Sequence, residues 1–201
     1  MSSANIAIID GGGANIASLK YALARLGAKS VLTSDPAVIR AASHVILPGV
    51  GAAAAAMSKL HDHQLATLIP ELRQPVLGIC LGMQLLGAGS AEDQAECLGV
   101  FPERAARLDA SPDAPVPNMG WCRIARLGDC PLLDGIHDGS WFYFVHSYAL
   151  PVGNGTVATA RHSGEFSAVI ARDNFYAAQF HPERSAAAGA RLLENFMAIS
   201  R

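Results

Sequence analysis

Four short apolar runs in the first 90 residues constrain the fold more than any other feature of the chain. Each run has the length of a strand, and a segment with helical periodicity follows it. The runs are NIAIID (5–10), KSVLT (29–33), HVILPG (44–49) and PVLGIC (75–80). Strands joined by helical crossovers form parallel sheets covered on both faces, which explains why the runs are almost continuously apolar. The sequence therefore predicts an α/β fold with a doubly wound, mostly parallel sheet.

The segments between these runs carry helix-boundary signals. A helix is expected from about Ile16 to Leu26. Ser34 or Asp35 can cap the next helix, because Pro36 follows at the first helical position. An Ala-rich helix follows the third run, and a short helix over 81–86 follows the fourth. The first half of the chain is thus predicted to alternate strand and helix.

The second half of the chain is richer in strand-like segments. Short turn signals such as VGNG and RDN separate them. The segments are WCRIARL (121–127), WFYFVHSYAL (141–150), GTVATAR (155–161), FSAVIAR (166–172) and NFYAAQF (174–180). They predict antiparallel additions to the parallel core, and an Ala-rich helix over about 185–199 closes the chain. Because there is no clear domain boundary, residues 1–201 are expected to form a single domain.

Charge and hydropathy narrow the classes of function. Lys and Arg number 15 and Asp and Glu number 17, and no basic stripe runs along the chain, which argues against a nucleic-acid partner. No apolar stretch reaches the roughly 18–20 residues that span a bilayer. The N-terminus lacks the basic and apolar regions of a secretory signal, so a cytoplasmic protein is expected. The four cysteines show no CxxC spacing and are expected to be free thiols.

The fourth apolar run ends in a cysteine between two glycines. Gly78 and Gly82 lie two residues before and two residues after Cys80. A sharp strand-to-helix turn brings these positions together, and glycines avoid the clash, as in a nucleophile elbow. The N–H groups at the start of the next helix favour a thiolate, and that of Leu81 can stabilise an oxyanion. The same residues also fit a buried cysteine that packs as a small apolar side chain.

A histidine that can act as a base follows the last apolar run. His181 and Glu183 are two residues apart, and in an extended segment such positions point to the same side. Pro182 favours that extended backbone, so Glu183 can hold the imidazole in one tautomer. The alternative is a strand that ends in a polar turn with Glu183 in solvent. His146 could compete as the base, but the sequence indicates nothing nearby that would orient it.

Three further motifs have weaker interpretations. In LPGVG (47–51), glycines let backbone amides approach a ligand, which suits a second oxyanion donor, although a plain turn is also compatible. GGGAN (11–15) lacks a complete phosphate-binding pattern and fits a turn or a partner-facing loop. HDH (61–63) has no third and fourth metal ligand at suitable spacing and is interpreted as a solvated pair. No metal or other cofactor is therefore expected.

Three segments together resemble a known family. PGVG, GICLGMQLL and QFHPERS occur in the order and at the approximate spacing of class I (triad-type) glutamine amidotransferases, and the resemblance covers nearly the whole chain. Gly-x-Cys-x-Gly followed at a distance by His-Pro-Glu is specific as a combination. PNMGW (117–121), YFVHSYA (143–149) and the opening IAIIDGGGANIAS are similar to segments of the glutaminase subunits of imidazole glycerol phosphate synthase. The resemblance implies that residues 1–201 form one glutamine amidotransferase domain with the family's flavodoxin-like fold.

The resemblance also implies a reaction. Cys80 would attack the carboxamide of glutamine, His181 would protonate the leaving ammonia, and Glu183 would orient His181. A separate cyclase subunit with a (β/α)8 barrel would form a heterodimer with this chain and use the ammonia. Its products would be imidazole glycerol phosphate, for histidine synthesis, and aminoimidazole carboxamide ribonucleotide, which returns to purine synthesis. By the same resemblance, the oxyanion hole would be formed by the backbone of Gly49, Val50, Gly51 and Leu81. Glutamine would be bound by Gln84, Glu92, Ser147 and Tyr148. The partner interface would include Asn15, Pro117, Asn118, Met119, Gly120 and Trp121.

Four positions depart from the pattern of these subunits. Asn118 stands where a histidine is usual, Cys122 replaces an asparagine, Gly11 replaces a tyrosine and Arg184 replaces a lysine. None belongs to the Cys–His–Glu set, so the departures concern docking and activation. Two alternatives remain open: an amidotransferase subunit of another pathway, and a catalytically silent binding subunit or thiol-based stress protein of the same architecture.

Overall fold

The computed structural model describes residues 5–10 and 16–200. The strands of this part of the chain are β1 Asn5–Ile9, β2 Lys29–Thr33, β3 His44–Gly49, β4 Val76–Cys80, β5 Gly89–Ser90, β6 Ala95–Glu96, β7 Arg104–Arg107, β8 Asn118–Arg126, β9 Trp141–His146, β10 Tyr148–Ala149, β11 Thr156–Arg161, β12 Glu165–Arg172 and β13 Phe175–Ala178. Its helices are α1 Ile16–Arg25, α2 Pro36–Ala41, α3 Ala53–Asp62, α4 Leu65–Leu68, α5 Leu81–Leu86 and α6 Ala186–Ala198. Short 3-10 turns cover Ile69–Glu71, Glu92–Gln94, Pro131–Leu133 and Pro182–Arg184.

Within the described residues, nine strands form one large sheet. Their order is β2-β1-β3-β4-β13-β12-β11-β8-β9. The first five strands are parallel to one another, and the last four extend the sheet in antiparallel fashion. The short strands β10, β7, β5 and β6 form a second sheet. The predicted α/β class with a parallel core and antiparallel additions is therefore confirmed.

Two of the strand assignments were wrong in detail. The segment 174–180 was expected to be an antiparallel addition, but β13 pairs in parallel with β4 and completes the parallel core. The segment 141–150 was expected to be one strand, but it is interrupted at Ser147: β9 pairs with β8 in the large sheet, while β10 pairs with β7 in the small one. Both features depend on pairing partners that are distant in sequence, which local patterns do not reveal.

Apart from the edge strand β2, the parallel half of the large sheet is buried on both faces. Alternate residues of β1 join different apolar clusters, with Ile6 and Ile8 in one and Ala7 and Ile9 in the other. Since alternate strand residues point to opposite faces, the two clusters cover the two sides of the sheet. Helices α1 and α6 pack into the first cluster, and α3 and α4 pack into the second. All five residues of β4 are buried, so the strand that ends at Cys80 is central and constrained on both sides.

Local signals account for the helix ends. Asp35 Oδ1 accepts a hydrogen bond from the Ala37 amide at 2.7 Å, and Pro36 occupies the first turn of α2, as predicted. Gly27, just beyond α1, adopts φ +77°, a conformation that glycine tolerates without strain. These residues therefore set the end of α1 and the start of α2.

Several features bear on membranes, disulfides and metals. None of the helices in residues 5–10 and 16–200 is long and apolar enough to cross a membrane. All four cysteines lie in the described ranges, and none of them forms a disulfide. His61 lies near the end of α3 and His63 follows it; no group of three or more His, Cys, Asp or Glu side chains in the described part of the chain is placed to hold a metal ion.

Gly82→Ala is expected to destabilise the fold. A Cβ atom at Gly82 would run into the carbonyl oxygen of Leu47, which belongs to the central strand β3 and cannot move aside easily. Overpacking of this kind costs about 3 kcal/mol, so we expect a loss of that order in the free energy of unfolding, measured by urea denaturation.

The control for this experiment is Gly164→Ala. A Cβ atom at Gly164 meets nothing within 4 Å. This variant should change the free energy of unfolding by less than about 0.5 kcal/mol. If Gly82→Ala lowered the free energy of unfolding as little as Gly164→Ala does, the close contact between α5 and β3 would be refuted.

Candidate active site

Cys80 lies at a strained turn between β4 and α5. It is the last residue of the strand and adopts φ 55° and ψ −111°, which is unfavourable for a residue with a side chain. A Cβ atom at Gly78 would lie 2.8 Å from the carbonyl oxygen of Gly82, so the two positions are as close as an elbow requires. The space at Gly82 itself is limited by Leu47 of the neighbouring strand. The turn therefore presents the sulfur at the carboxyl end of the sheet.

His181 and Glu183 lie beside Cys80 because β13 is adjacent to β4. His181 Nδ1 is 3.0 Å from Glu183 Oε1, and both side chains are buried. The side chain of His181 also hydrogen-bonds to that of Cys80. Glu183 was expected to share a side with His181 in an extended segment; instead, it lies in the 3-10 turn that starts at Pro182. The structure thus brings the three predicted catalytic residues together.

The backbone of His181 is fixed by neighbouring elements. Its amide donates to the carbonyl oxygen of Tyr143 at 2.9 Å, which ties the turn to β9. The Ser185 hydroxyl donates to the carbonyl oxygen of His181 at 2.7 Å and accepts from the Tyr143 amide at 3.0 Å. The backbone that carries the imidazole is therefore fixed to β9, directly and through Ser185.

The environment of His181 favours its charged form. Burial by itself lowers the pKa of His181, but hydrogen bonds and negative charge from Cys80 and Glu183 outweigh burial and raise the pKa to about 10. At neutral pH the ring is then an imidazolium next to the sulfur. An adjacent cation of this kind favours the thiolate, which is the nucleophilic form of cysteine.

A cavity of about 270 Å³ opens beside the sulfur. This volume is slightly below the roughly 300–1,000 Å³ of sites for drug-sized ligands, so it suits a small metabolite. The cavity is lined by the four residues predicted to bind glutamine, by the predicted oxyanion residues other than Gly49, and by five others that include Cys80 and His181. The complete lining is Val50, Gly51, Cys80, Leu81, Gln84, Glu92, Pro117, Val145, His146, Ser147, Tyr148 and His181.

Gln84 is anchored by both hydrogens of its amide group. Its Nε2 donates to the Tyr148 carbonyl oxygen at 2.8 Å and to Gln179 Oε1 at 3.2 Å. The atom of Gln84 that remains to bind a ligand is its Oε1, which is an acceptor. The Tyr148 carbonyl also accepts from His146 Nδ1 at 3.0 Å, so both of its lone pairs are used. Ser147 and Tyr148 line the cavity, and the contact of their backbone with the substrate, which the resemblance implies, stays a prediction.

Glu92 has a structural bond in addition to its place in the cavity. Its Oε2 accepts from the Ala53 amide at 3.0 Å, at the start of α3. The N-cap residue of that helix is Ala52, whose methyl group cannot accept a hydrogen bond, so Glu92 supplies an acceptor that the cap position lacks. Glu92 therefore joins the cavity wall to α3, and its contact with substrate stays a prediction.

The predicted oxyanion segment lies directly against the nucleophile. Gly49 is paired in register with Cys80, and a Cβ atom at Gly49 would lie 2.9 Å from Leu81 Cβ. Val50 and Gly51 line the cavity, and Gly51 adopts φ +95°. This contact places the backbone after β3 within reach of a group bound at the sulfur. The role of its amides as oxyanion donors stays a prediction.

The residues predicted to face a partner are arranged by the alternation of β8. Met119 is 64% exposed and Trp121 is 48% exposed, and Pro117 is exposed just before the strand. Gly120 is half-buried. Asn118 is only 2% exposed, because alternate residues of a strand point inward, and its side chain adds nothing to an exposed partner surface. Asn15 lies outside the described residues.

His146 is oriented, contrary to expectation. Its Nδ1 is 3.0 Å from the Tyr148 carbonyl oxygen, and its Nε2 is 3.0 Å from Asn118 Nδ2. A carbonyl oxygen only accepts, so Nδ1 carries the proton and Nε2 accepts from the amide. Burial lowers the pKa of His146 to about 4, which keeps the ring neutral. With both nitrogens engaged, His146 cannot act as the base.

Gln179 is a site residue that sequence reasoning missed. It is fully buried, and its Nε2 donates to Cys80 Sγ at 3.7 Å. The available signal was a single polar residue in the apolar run FYAAQF, two residues before His181. Burial of a primary amide requires hydrogen-bond partners, which are visible only once the sheet is assembled.

The sequence of this chain is similar to those of known proteins. A family model described as "Glutamine amidotransferase class-I" matches residues 7–199. Curated relatives named imidazole glycerol phosphate synthase subunit HisH include that of Escherichia coli K12, 47% identical over 96% of this chain and 98% of the relative. The HisH subunit of Xylella fastidiosa is 47% identical to this chain over 96% of both chains. The HisH subunit of Vibrio cholerae is 45% identical over 97% of this chain and 98% of the relative.

Solved structures share the fold at low sequence identity. A putative subunit of GMP synthase from Thermoplasma acidophilum superposes with a TM-score of 0.75 at 18% identity, covering 98% of this chain and 94% of that chain. A second crystal structure, of a glutamine amidotransferase, gives a TM-score of 0.73 at 17% identity over 95% of this chain and 96% of that one. At such identities the likeness concerns the fold alone.

Proposed function

Because this chain belongs to the class I glutamine amidotransferase family, we propose that it hydrolyses glutamine as the glutaminase subunit of an imidazole glycerol phosphate synthase. The observation that carries the proposal is the buried set of Cys80, His181 and Glu183 at the edge of a small cavity. Relatives at 45–47% identity over nearly the whole chain support imidazole glycerol phosphate synthase as the enzyme to which this subunit belongs. The products are glutamate and ammonia.

The first half-reaction forms a thioester. The Cys80 thiolate attacks the carboxamide carbon of glutamine, and the carbonyl oxygen becomes an oxyanion that amides near Gly51 and Leu81 stabilise. His181 Nδ1 faces Glu183, so Nε2 is the ring atom that faces the sulfur. Nε2 gives its proton to the departing nitrogen, the C–N bond breaks, and ammonia leaves.

The second half-reaction restores the enzyme. His181, now neutral, takes a proton from water, and the hydroxide attacks the thioester carbon. The C–S bond breaks, so glutamate leaves and Cys80 returns to the thiolate beside an imidazolium. Glu183 stabilises that imidazolium in both halves and holds its tautomer. Glutamine and water are thus converted to glutamate and ammonia with no net change in the protein.

The cavity supports an amino-acid substrate with a donor group. Gln84 presents an acceptor oxygen because its amide hydrogens are already used. The carboxylate of Glu92 adds negative charge to the same cavity wall. Together they suit the α-ammonium group of glutamine, and the side-chain amide would then point toward Cys80.

The ammonia is proposed to pass to a separate cyclase subunit, which is a (β/α)8 barrel that forms a heterodimer with this chain. The exposed Met119 and Trp121 support a docking surface near the cavity, since Met and Trp are enriched at interfaces. Pro117, which lines the cavity, lies just before them. The cyclase would make imidazole glycerol phosphate and aminoimidazole carboxamide ribonucleotide in the cytoplasm, as part of histidine biosynthesis.

Stimulation by the cyclase tests this proposal. Glutamate release from glutamine is measured for the pure chain, first alone and then with a barrel cyclase that carries its nucleotide ligand. We expect strong stimulation, because ammonia released without an acceptor would be lost. Stimulation by a different synthase only would retain the glutaminase chemistry and overturn the histidine pathway. No activity with any synthase would favour a silent binding subunit.

A further inference from the structure

A buried glutamine contacts the reactive sulfur directly. Gln179 is 0% exposed and follows β13, two residues before His181. Its backbone amide donates to the Ala168 carbonyl oxygen at 2.9 Å, which fixes its main chain against β12. An amide buried to this extent is strongly destabilising unless it is hydrogen-bonded. Its partners are Cys80 and Gln84.

The orientation of the Gln179 amide follows from its neighbours. Gln84 Nε2 is a donor and lies 3.2 Å from Gln179 Oε1, so the oxygen of Gln179 must face Gln84. Gln84 is anchored in turn by the Tyr148 carbonyl oxygen. The nitrogen of Gln179 therefore faces Cys80 Sγ, at 3.7 Å. One side chain thus joins the sulfur to the amide that lines the substrate cavity.

This contact favours the charged sulfur over the neutral one. As a thiol, Cys80 can donate to the Val145 carbonyl oxygen at 3.6 Å. A thiolate has no proton for that bond, whereas the N–H of Gln179 still points at it. A hydrogen bond donated to an ion is stronger than one donated to the neutral group, so Gln179 stabilises the thiolate in addition to His181.

We propose that Gln179 is a further catalytic residue: its Nε2–H stabilises the Cys80 thiolate, while its Oε1 holds Gln84 in position for the substrate. The inference rests on the proposed role of Cys80 as the nucleophile. It assigns two linked consequences to one side chain, since loss of the amide would weaken both the nucleophile and the binding of glutamine. Replacement of a residue that only fills the core would not selectively weaken the nucleophile or the binding of glutamine.

The test compares Gln179→Met with Gln179→Glu. Met keeps the length and volume but removes the N–H, and Glu places an acceptor carboxylate next to the sulfur. The matched control is Gln74→Met, because Gln74 is also buried and its Nε2 donates to the Ile39 carbonyl oxygen at 2.9 Å. Urea denaturation of each variant establishes that it is folded.

The first measurement is the rate at which iodoacetamide alkylates Cys80 as a function of pH in the whole chain, with the modified cysteine identified by mass spectrometry. In Gln179→Met the midpoint of the profile should move up by about one pH unit, which corresponds to a weakened hydrogen bond to an ion. Gln179→Glu should move it further, because of the added negative charge. Gln74→Met should leave it unchanged.

The second measurement is steady-state glutamine hydrolysis with the stimulating synthase partner. Gln179→Met should lower kcat about tenfold and raise KM, because Gln84 loses one of the two acceptors that anchor its amide. An unchanged alkylation profile in folded Gln179→Met and Gln179→Glu would overturn the inference, while normal wild-type glutaminase activity would leave the proposed function standing. A shifted profile in a chain without glutaminase activity would support the inference and refute the proposed function.

Discussion

Cys80→Ala should lower glutamine-dependent synthesis by about 10⁵-fold when the chain is assayed with the proposed cyclase partner. Removal of a nucleophile that acts as one unit with its base eliminates nearly all of the chemical rate enhancement. Synthesis from added ammonia should remain intact, because the cyclase does not need Cys80 for that reaction. The measurement is the rate of product formation with glutamine and, separately, with an ammonium salt at alkaline pH.

Cys97→Ala provides the matched control for Cys80→Ala. Burial raises the pKa of Cys97 to about 11, so its thiol is neutral and unreactive near neutral pH. This variant should retain both activities within about twofold. Glutamine use that survives Cys80→Ala would show that another group is the nucleophile. Loss of the ammonia-dependent reaction as well would contradict the assignment of that reaction to the cyclase alone.

Glu183→Gln should reduce kcat by about 10³-fold and narrow the active pH range. Replacing the carboxylate that orients the base in a catalytic triad lowers rates on the order of 10³–10⁴-fold. The substitution would also remove the negative charge that helps to raise the pKa of His181. Because the reaction needs the imidazolium, wild-type activity is lost as pH rises through about 10, and in the variant this loss should occur at lower pH.

The same change has a consequence for stability. A histidine whose pKa is raised on folding contributes stability that is complete below its unfolded value of 6.5 and is lost as pH rises through about 10. Urea unfolding of the wild type should therefore show a decrease in stability over that window, and the decrease should be smaller in Glu183→Gln. The pH profile of kcat/KM and the urea midpoints at several pH values give the two measurements.

Glu96→Gln is the control for these pH effects. Glu96 pairs with Arg104 on the exposed surface and does not line the cavity, so its replacement should leave the alkaline limb of the rate profile unchanged. If Glu183→Gln retained full activity with the same alkaline limb, Glu183 would have no role in holding His181.

The features predicted correctly from the sequence are those that depend on residues close together in the chain. The order of strands β1 to β4 and helices α1, α2, α3 and α5 follows from apolar runs, Pro36 and Gly27, each of which acts within a few residues, whereas α4 was not predicted. The elbow at Cys80 follows from glycines two positions away on either side. The contact between His181 and Glu183 spans two residues, and it was found even though the backbone there is a 3-10 turn and not an extended strand.

The site features that were missed all join distant parts of the chain. Cys80 and Gln179 are 99 residues apart, Gln84 and Gln179 are 95 apart, and Asn118 and His146 are 28 apart. The same is true of the pairing between β13 and β4, which brings His181 to the sulfur. Local patterns determined which residues could supply a nucleophile and a base. Only the tertiary structure decided which buried amides would surround them, because a buried polar group takes its partners from whatever the assembled sheet places beside it.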